Sequence, residues 1–437
     1  MMNYKESIEY LYNSRPYGKI KYGLFRIKEL MDRIGNPQDS YPVIHITGTN
    51  GKGSVAAMIT SVLAQMGLKV GLNISPHIIS FRERFQINGQ LISKSKVVSL
   101  LEYIMPYLNK MDKKEEDFAP SFFEVVTAMA FHYFRQEKVD VAVIEVGLGG
   151  KYDASNVIKK PLVSVITTVG LDHRKILGNT ENEISKEKAG IIKPGAPVVS
   201  GVTRPVIRRV IEKIAKENGA DTYFFWRDFY VQPQKMSIGH NLFNYVGENH
   251  HNNLPLSLNG AHQYQNAAIA IKTLEIASKR LNMKLSSDIL KKGLSKVQWP
   301  GRFELLKAFG KGIILDGAHN PDGTRTFVES VRNYFGNQKI RLLFGVLDDK
   351  DYMNNIRLLS PISSEVIVTK VSSHRSTSPE KVFREWKKYV DNVIYIENPE
   401  IAFYELLNTE KPVVFCVGSL YLVSEIRQAI LGGKENA

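Results

Sequence analysis

At 437 residues the chain is too long for one ordinary core and predicts two or three domains. Its 43% hydrophobic and 23% charged content excludes long disorder, and its single cysteine, Cys416 in an apolar run, excludes an intrachain disulfide and a cysteine-built zinc site. The net charge of +14 suits nucleic acid or small polyanions; lysines and arginines are spread along the chain without a zinc-finger or RNA-binding signature, which favours small polyanions such as ATP and a polycarboxylate.

The chain opens on Met1–Tyr10, polar and charged, and no apolar run reaches membrane-spanning length, so a cytoplasmic protein without a membrane partner is expected. The first strong element is Pro42–Thr47, a β-branched apolar run predicted as a buried strand. It stops at Gly48-Thr49-Asn50-Gly51-Lys52-Gly53-Ser54, and a helical pattern of Val55, Met58, Ile59, Val62 and Leu63 begins at once. Strand, glycine loop, lysine, hydroxyl and helix together cradle a triphosphate. Glycines let backbone N–H groups converge on the phosphates, Lys52 adds a point charge, and the helix N-terminus adds its positive dipole end. Thr49 to Ser54 are therefore expected to bind ATP. The loop departs from the standard P-loop: its first glycine is Gly48 where the usual spacing falls on Ile46, and Gly53 separates Lys52 from Ser54.

Further buried strands are predicted at Lys69–Ile74, Val139–Val146, Leu162–Val169 and Ala196–Gly201, with helices at Phe122–Gln136, Glu181–Ile192 and Arg204–Asn218. Such alternation implies a mostly parallel sheet covered on both faces. Thr222–Leu258, with alternating Tyr, Phe and Val, reads as short antiparallel strands on the edge of this first domain, followed by helices at Ala261–Arg280 and Ser286–Val297. Trp299-Pro300-Gly301 marks the domain boundary, dividing the chain into 1–298 and 299–437. A second alternating series follows, with strands at Gly312–Leu315, Lys339–Gly345, Glu365–Thr369, Val393–Ile396 and Pro412–Val417. The fold class is α/β: a P-loop-type, mostly parallel N-terminal sheet and a smaller Rossmann-like C-terminal domain. The tail Gly432–Ala437 is expected to fray.

Ligands gather at strand ends in parallel sheets, which raises the standing of three polar residues. Ser75 follows the strand ending at Ile74, Glu145 lies inside Val141–Val146, and His173 follows the run ending at Val169. A carboxylate, a hydroxyl and one imidazole suit magnesium when phosphates and water complete its shell. Each also has a plain structural reading as an ion pair, a helix cap or a core histidine. Glu145 is the hardest to dismiss, because a carboxylate inside Val-Ile-Glu-Val must be paired or metal-bound.

The loop ending Gly51-Lys52-Gly53-Ser54 resembles the folylpolyglutamate synthase and dihydrofolate synthase branch of the Mur-ligase superfamily. Matching segments run along nearly the whole chain: Ser75-Pro76-His77-Ile78 with Phe81-Arg82-Glu83-Arg84, Phe123-Glu124, Glu145 to Gly150, Asp172-His173, Glu187-Lys188-Ala189-Gly190-Ile191, Gly260 to Gln263 with Asn266, Gly301-Arg302, Asp316 to Pro321, and Gly418-Ser419-Leu420. The resemblance implies that Ser75, Glu145 and His173 ligate magnesium and that Lys188 carries a carbamate helping to hold a second metal. It further implies ATP contacts from Asn266, Arg302 and Asp316, and substrate contacts from Arg82, Phe123, Tyr152, Asp153, Ala154 and Ser419. Lys151-Tyr152-Asp153-Ala154-Ser155-Asn156 stands where the family usually has Arg-Leu-Asp-Ala-Thr-Asn, in a segment implicated in the pterin site. On the residues alone, Lys188 reads as a solvated helix lysine, and Asp316–Pro321 as a strand-to-helix loop capped by Asn320.

The implied activity is ATP-dependent addition of L-glutamate to a reduced folate, or to dihydropteroate, through an acyl phosphate in a monomer. Lys52 and Lys188 would serve the chemistry, and His173 and His319 stand as candidate bases that the sequence does not demand. Two rival readings remain: a Mur-type ligase of cell-wall precursors, opposed by the Gly-Lys-Gly-Ser ending and Phe81–Arg84, and a nucleotide-dependent nucleic-acid-binding protein that makes no bond.

Overall fold

The structure, a computed structural model, describes residues 2–15, 21–114, 118–373 and 375–432; the expected fraying of 433–437 lies outside them. Eight strands build the first sheet: β1 (Val43–Thr47), β2 (Val70–Asn73), β3 (Phe85–Ile87), β4 (Gln90–Leu91), β5 (Val141–Glu145), β6 (Val163–Ile166), β7 (Val198–Ser200) and β8 (Thr222–Phe224), in the order β4-β3-β2-β5-β1-β6-β7-β8. All are parallel except the β3–β4 hairpin. Every residue of β1, β5 and β6 is buried, because helices cover both faces. One face packs on the helices Lys52–Gln65 and His262–Arg280, and the other on Phe25–Arg33, Lys94–Asp112 and Phe122–Gln136.

Register decides where the chemistry sits. Ile46 of β1 lies opposite Glu145 of β5, and Thr47 lies opposite Ile166 of β6. The loops after β1, β5 and β6 therefore leave the sheet at one level, with the glycine loop in the middle.

Within Thr222–Leu258 only the first strand differs from the expectation of antiparallel strands. Thr222–Phe224 joins the large sheet as its parallel edge strand, whereas β9 (Tyr230–Lys235), β10 (Asn241–Val246) and β11 (His250–Leu256) form a separate antiparallel sheet. Their alternation buries Phe243 and Tyr245 in the same core as the helix His262–Arg280. An alternating pattern reports one wet face, not which sheet a strand joins.

A six-stranded sheet follows: β12 (Glu304–Ala308), β13 (Lys311–Asp316), β14 (Ile340–Phe344), β15 (Ser363–Val368), β16 (Val393–Tyr395) and β17 (Val413–Val417), ordered β12-β13-β17-β14-β15-β16. It is parallel apart from β12 and has an apolar core on each face. This is the expected C-terminal α/β body. Trp299 packs against the first body's core, whereas Phe303 is buried in the second. Among the described residues no helix is long and apolar enough to cross a membrane.

The first body also holds a fully paired buried charge. Glu275 accepts from Lys272 Nζ (3.1 Å), Tyr245 Oη (2.9 Å) and the Asn249 backbone and side-chain amides (3.1 and 3.2 Å), tying the β10–β11 turn to the helix. Glu275→Ala leaves the Lys272 ammonium, which is 4% exposed, with only the longer Glu248 contact at 3.7 Å and the Tyr223 ring. It should lower unfolding stability by about 3–5 kcal/mol, read as an earlier first transition in urea; an unchanged midpoint would contradict this role.

Candidate functional site

Gly51 takes a left-handed backbone (φ +86°) and starts the helix Lys52–Gln65, so the loop amides and the helix N-terminus open toward one point. Lys52 Nζ donates to the carbonyls of Gly48 (3.0 Å) and Thr49 (3.4 Å). The loop is pinned to the segment after β6: Thr49 N donates to Thr168 O (2.9 Å), Asn50 N to Thr168 Oγ1 (3.0 Å), and Thr49 Oγ1 to Gly170 O (3.1 Å). Ser54 Oγ accepts from Gln263 Nε2 (3.2 Å), and Asn266, held by Gln263 (3.0 Å), presses against Gly51. Gly53 has a steric cause absent from the standard loop. The Trp299 indole lies on it, and a Cβ there would fall 2.5 Å from a ring carbon.

On the β5 side, Glu145 is buried and its Oε2 accepts from Ser75 N (3.1 Å). Ser75 Oγ is buried without a hydrogen-bond partner. Burial raises the Glu145 pKa, opposed by Lys52, the Ser75 amide, Arg302 and Arg84. On the β6 side, His173 caps a short turn with a left-handed backbone (φ +49°). Desolvation by surrounding groups and the Lys350 charge lower its pKa to about 4. Behind the loop, Lys188 is 3% exposed. Burial, then the Lys52 charge, lower its pKa to about 7, against the pull of Asp172 and Asp153.

These residues suit magnesium carried by a nucleotide. Ser75 offers an unpartnered hydroxyl, Glu145 a second carboxylate oxygen and His173 an imidazole. Among the described residues no three His, Cys, Asp or Glu side chains converge as a metal cage, so phosphate oxygens and water must supply most of the shell.

The second body faces this loop. Asp316 is buried, accepting from Phe303 N (2.8 Å) and Ala318 N (2.7 Å); burial raises its pKa against the pull of Arg302. His319 Nδ1 lies 2.7 Å from Gly317 O, and its Nε2 lies 3.7 Å from Asp172. Asn320 caps its helix through Gly323 N (2.8 Å) while reaching Asn50 of the loop (3.2 Å).

The expected substrate residues separate. Phe123 lies on Gly147, beside the Glu145 strand end. Tyr152 is 44% exposed, edge-on to Tyr22, with Lys151 Nζ 4.9 Å from its ring centre. Arg82 donates to Ile92 O in a separate turn. Asp153 is buried with both oxygens committed to Leu148 N, Ser155 N and Ser155 Oγ; Ala154 is buried beside it. Ser419 is buried and caps the helix Leu420–Ile430. Asp153, Ala154 and Ser419 thus shape loops, and their side chains have little surface for a ligand.

Sequence reasoning missed Arg84, which is buried, donates to His77 Nδ1 (2.9 Å) and bears on Glu145. It also missed Gln263, the contact of Trp299 with the loop, and Lys350. The charged triplet Asp349-Lys350-Asp351 soon after an apolar strand was the available signal for Lys350.

Residues 46–274 match the Mur ligase middle domain and residues 301–420 the Mur ligase, glutamate ligase domain. The dihydrofolate synthase/folylpolyglutamate synthase of Bacillus subtilis (strain 168) is 36% identical over 98% of this chain and 99% of its own length. The chain belongs to the folylpolyglutamate synthase/dihydrofolate synthase family. Among solved structures, the folylpolyglutamate synthase of Thermotoga maritima is 42% identical, with a TM-score of 0.88 over 99% of this chain and 98% of that one. An FPGS–AMPPCP–folate complex is 35% identical, with a TM-score of 0.86 over 99% and 100% of the two chains. As a member of this family the protein is an ATP-dependent ligase, and the family favours the folate branch over a ligase of cell-wall precursors.

The Trp299 contact generates a prediction. Gly53→Ala should overpack the loop and weaken binding of a non-hydrolysable ATP analogue by about 1–3 kcal/mol. Calorimetric titration measures it, and adding Trp299→Ala should restore part of the loss. Wild-type affinity in Gly53→Ala would remove the steric account.

Proposed function

We propose that this protein joins the amino group of L-glutamate to a carboxylate of a reduced folate, with nucleotide on residues 1–298 and amino acid on 299–437. The observation that carries the reading is the set of groups around the loop: Lys52, the unpartnered Ser75 hydroxyl and buried Glu145 on one body, facing Arg302 and His319 on the other. The name of the Bacillus subtilis relative and the folate held in the FPGS complex support the choice of acceptor.

A carboxylate is a poor acylating agent. A carboxylate oxygen of the folate takes the γ-phosphoryl group of ATP, the bond to the bridging β–γ oxygen breaks, and ADP leaves. The neutral amine of glutamate then attacks the acyl carbon, loses a proton, and phosphate departs carrying that oxygen. Lys52 and the loop amides neutralise charge on the moving phosphoryl group, and Arg302 adds its charge from the second body. Packing one body over the other excludes water from the acyl phosphate. Ser75, Glu145 and His173 would hold magnesium, whose charge screens the phosphates; a second ion would need the Lys188 carbamate. Of the two candidate imidazoles, His319 would take the amine's proton, since His173 would be committed to magnesium.

Released phosphate should require both tetrahydrofolate and glutamate, and Lys52→Ala should lower turnover about 100-fold or more while melting like wild type. Phosphate release independent of either acceptor or glutamate would overturn the reading. A parallel assay with dihydropteroate sets the breadth of the acceptor site.

Lys188 is proposed as a carbamate because its amine is buried and its pKa of about 7 leaves a large neutral fraction at neutral pH. The neutral nitrogen adds to carbon dioxide and gives up a proton, turning a cation into an anion. Because the folded pKa lies below the ordinary 10.5, the unfolded chain holds the extra proton between the two values, and this group makes stability rise with pH across that window. Activity in bicarbonate-equilibrated buffer should rise through about pH 7. Lys188→Ala should abolish that limb, with partial rescue by a small carboxylic acid. Carbon-13 NMR showing no carbamate in active enzyme would contradict the assignment.

A further inference from the structure

Two groups of contacts join the bodies. Near the linker they are neutral: Tyr334 Oη accepts from Gly260 N (3.1 Å) and donates to Asn241 (2.9 Å), Ser330 Oγ accepts from Ala261 N (3.3 Å), and Asn259 donates to Phe303 O (3.3 Å). At the nucleotide loop they are charged. Among the described residues, the Lys/Arg–carboxylate pair crossing between the bodies is Lys350 Nζ to Asp172 at 3.0 Å, and the His319 imidazole Nε2 lies 3.7 Å from the same carboxylate. Asn320 Nδ2 donates to the same carboxylate (3.1 Å), as does His173 N (2.8 Å) from its own loop.

We propose that Asp172 is a positioning residue, the latch through which the second body closes on the ATP loop. Its side chain is 13% exposed and that of Lys350 is 9% exposed, so water competes poorly for the pair. Two donors from different points of the second body, Asn320 and Lys350, with the His319 ring beside them, fix that body's orientation rather than only its distance. Asn320 bridges Asp172 and Asn50 while capping its own helix, so a shift of the helix is felt directly at the ATP loop. Gly170 permits the close approach: a Cβ there would fall 2.1 Å from Asp322 Oδ2 of the second body. His319, Lys350, Asn320 and His173 surround a carboxylate that carries no bond-making role of its own. Loss of the latch leaves the neutral contacts near the linker, so the bodies stay tethered and folded while the catalytic cleft loosens.

The inference rests on the ligase reading for its kinetic arm only. In the full chain, spin labels on the exposed positions of V206C and I401C report the distance between the bodies, since Cys416 is buried and does not label. Lys350→Met and Asp172→Asn should each broaden a narrow distance distribution and lower kcat about tenfold or more, with affinity for AMPPCP changed less than about threefold. The double variant should be no worse than Asp172→Asn alone, because the Lys350 contact ends on Asp172 and is already lost in that variant. Lys350→Arg should restore the narrow distribution and most of kcat. An unchanged distribution in Lys350→Met, or losses that multiply in the double variant, would overturn the latch. If wild-type enzyme shows no glutamate-dependent turnover, the ligase reading fails and the distance measurement still decides the latch.

Discussion

The site is built around one positive charge on a glycine loop. Lys52 sits at a helix N-terminus, where the dipole already favours anions, and turns back to the carbonyls of Gly48 and Thr49. Its field reaches three strand-end or helix groups from different parts of the chain. It offsets part of the burial cost of the Glu145 carboxylate, and it pushes His173 and Lys188 toward their neutral forms. A polyanion placed on the loop exchanges carbonyl dipoles for full charges around Lys52. The same loop therefore binds a triphosphate and conditions the groups that face it.

That arrangement depends on sheet register. β1 lies between β5 and β6, so a single level of the sheet delivers the loop, Glu145 and the Thr167–His173 segment together. The second body uses the same device. β13 ends in Asp316, and the chain turns through His319 and Asn320 into a helix aimed back at the loop. Two parallel sheets thus present their ligand-bearing ends to each other, and the linker residue Trp299 touches the loop directly. Chemistry that must exclude water needs such a closing surface.

Much of this was legible in the amino-acid sequence because buried parallel strands are continuous apolar runs, and polar residues at their ends stand out. Pro42–Thr47 and Phe122–Gln136 were placed to within a residue for that reason. The β3–β4 hairpin was missed because its strands are only three and two residues long, too short for periodicity. The antiparallel strands β9–β11 are legible in their alternation, but the parallel pairing of Thr222–Phe224 with the large sheet is not, because alternation fixes a face and not a partner. At the site, Ser75 and Glu145 were visible as strand-end oxygens. Lys188 was not, since its burial comes from packing of the helix Glu181–Ala189 that an amphipathic pattern between Lys186 and Lys193 conceals. Asp153 and Ser419 sat inside recognisable motifs, yet their oxygens serve backbone amides, which only coordinates reveal.

In the proposed reaction the folate carboxylate is activated as an acyl phosphate before glutamate attacks. Labelling that carboxylate with oxygen-18 and analysing the inorganic phosphate by mass spectrometry tests it most directly. The mechanism requires one labelled oxygen to pass from the carboxylate to each phosphate released with product. Product formed with unlabelled phosphate would show that the phosphoryl group never reached the carboxylate, and the account of this site would be wrong.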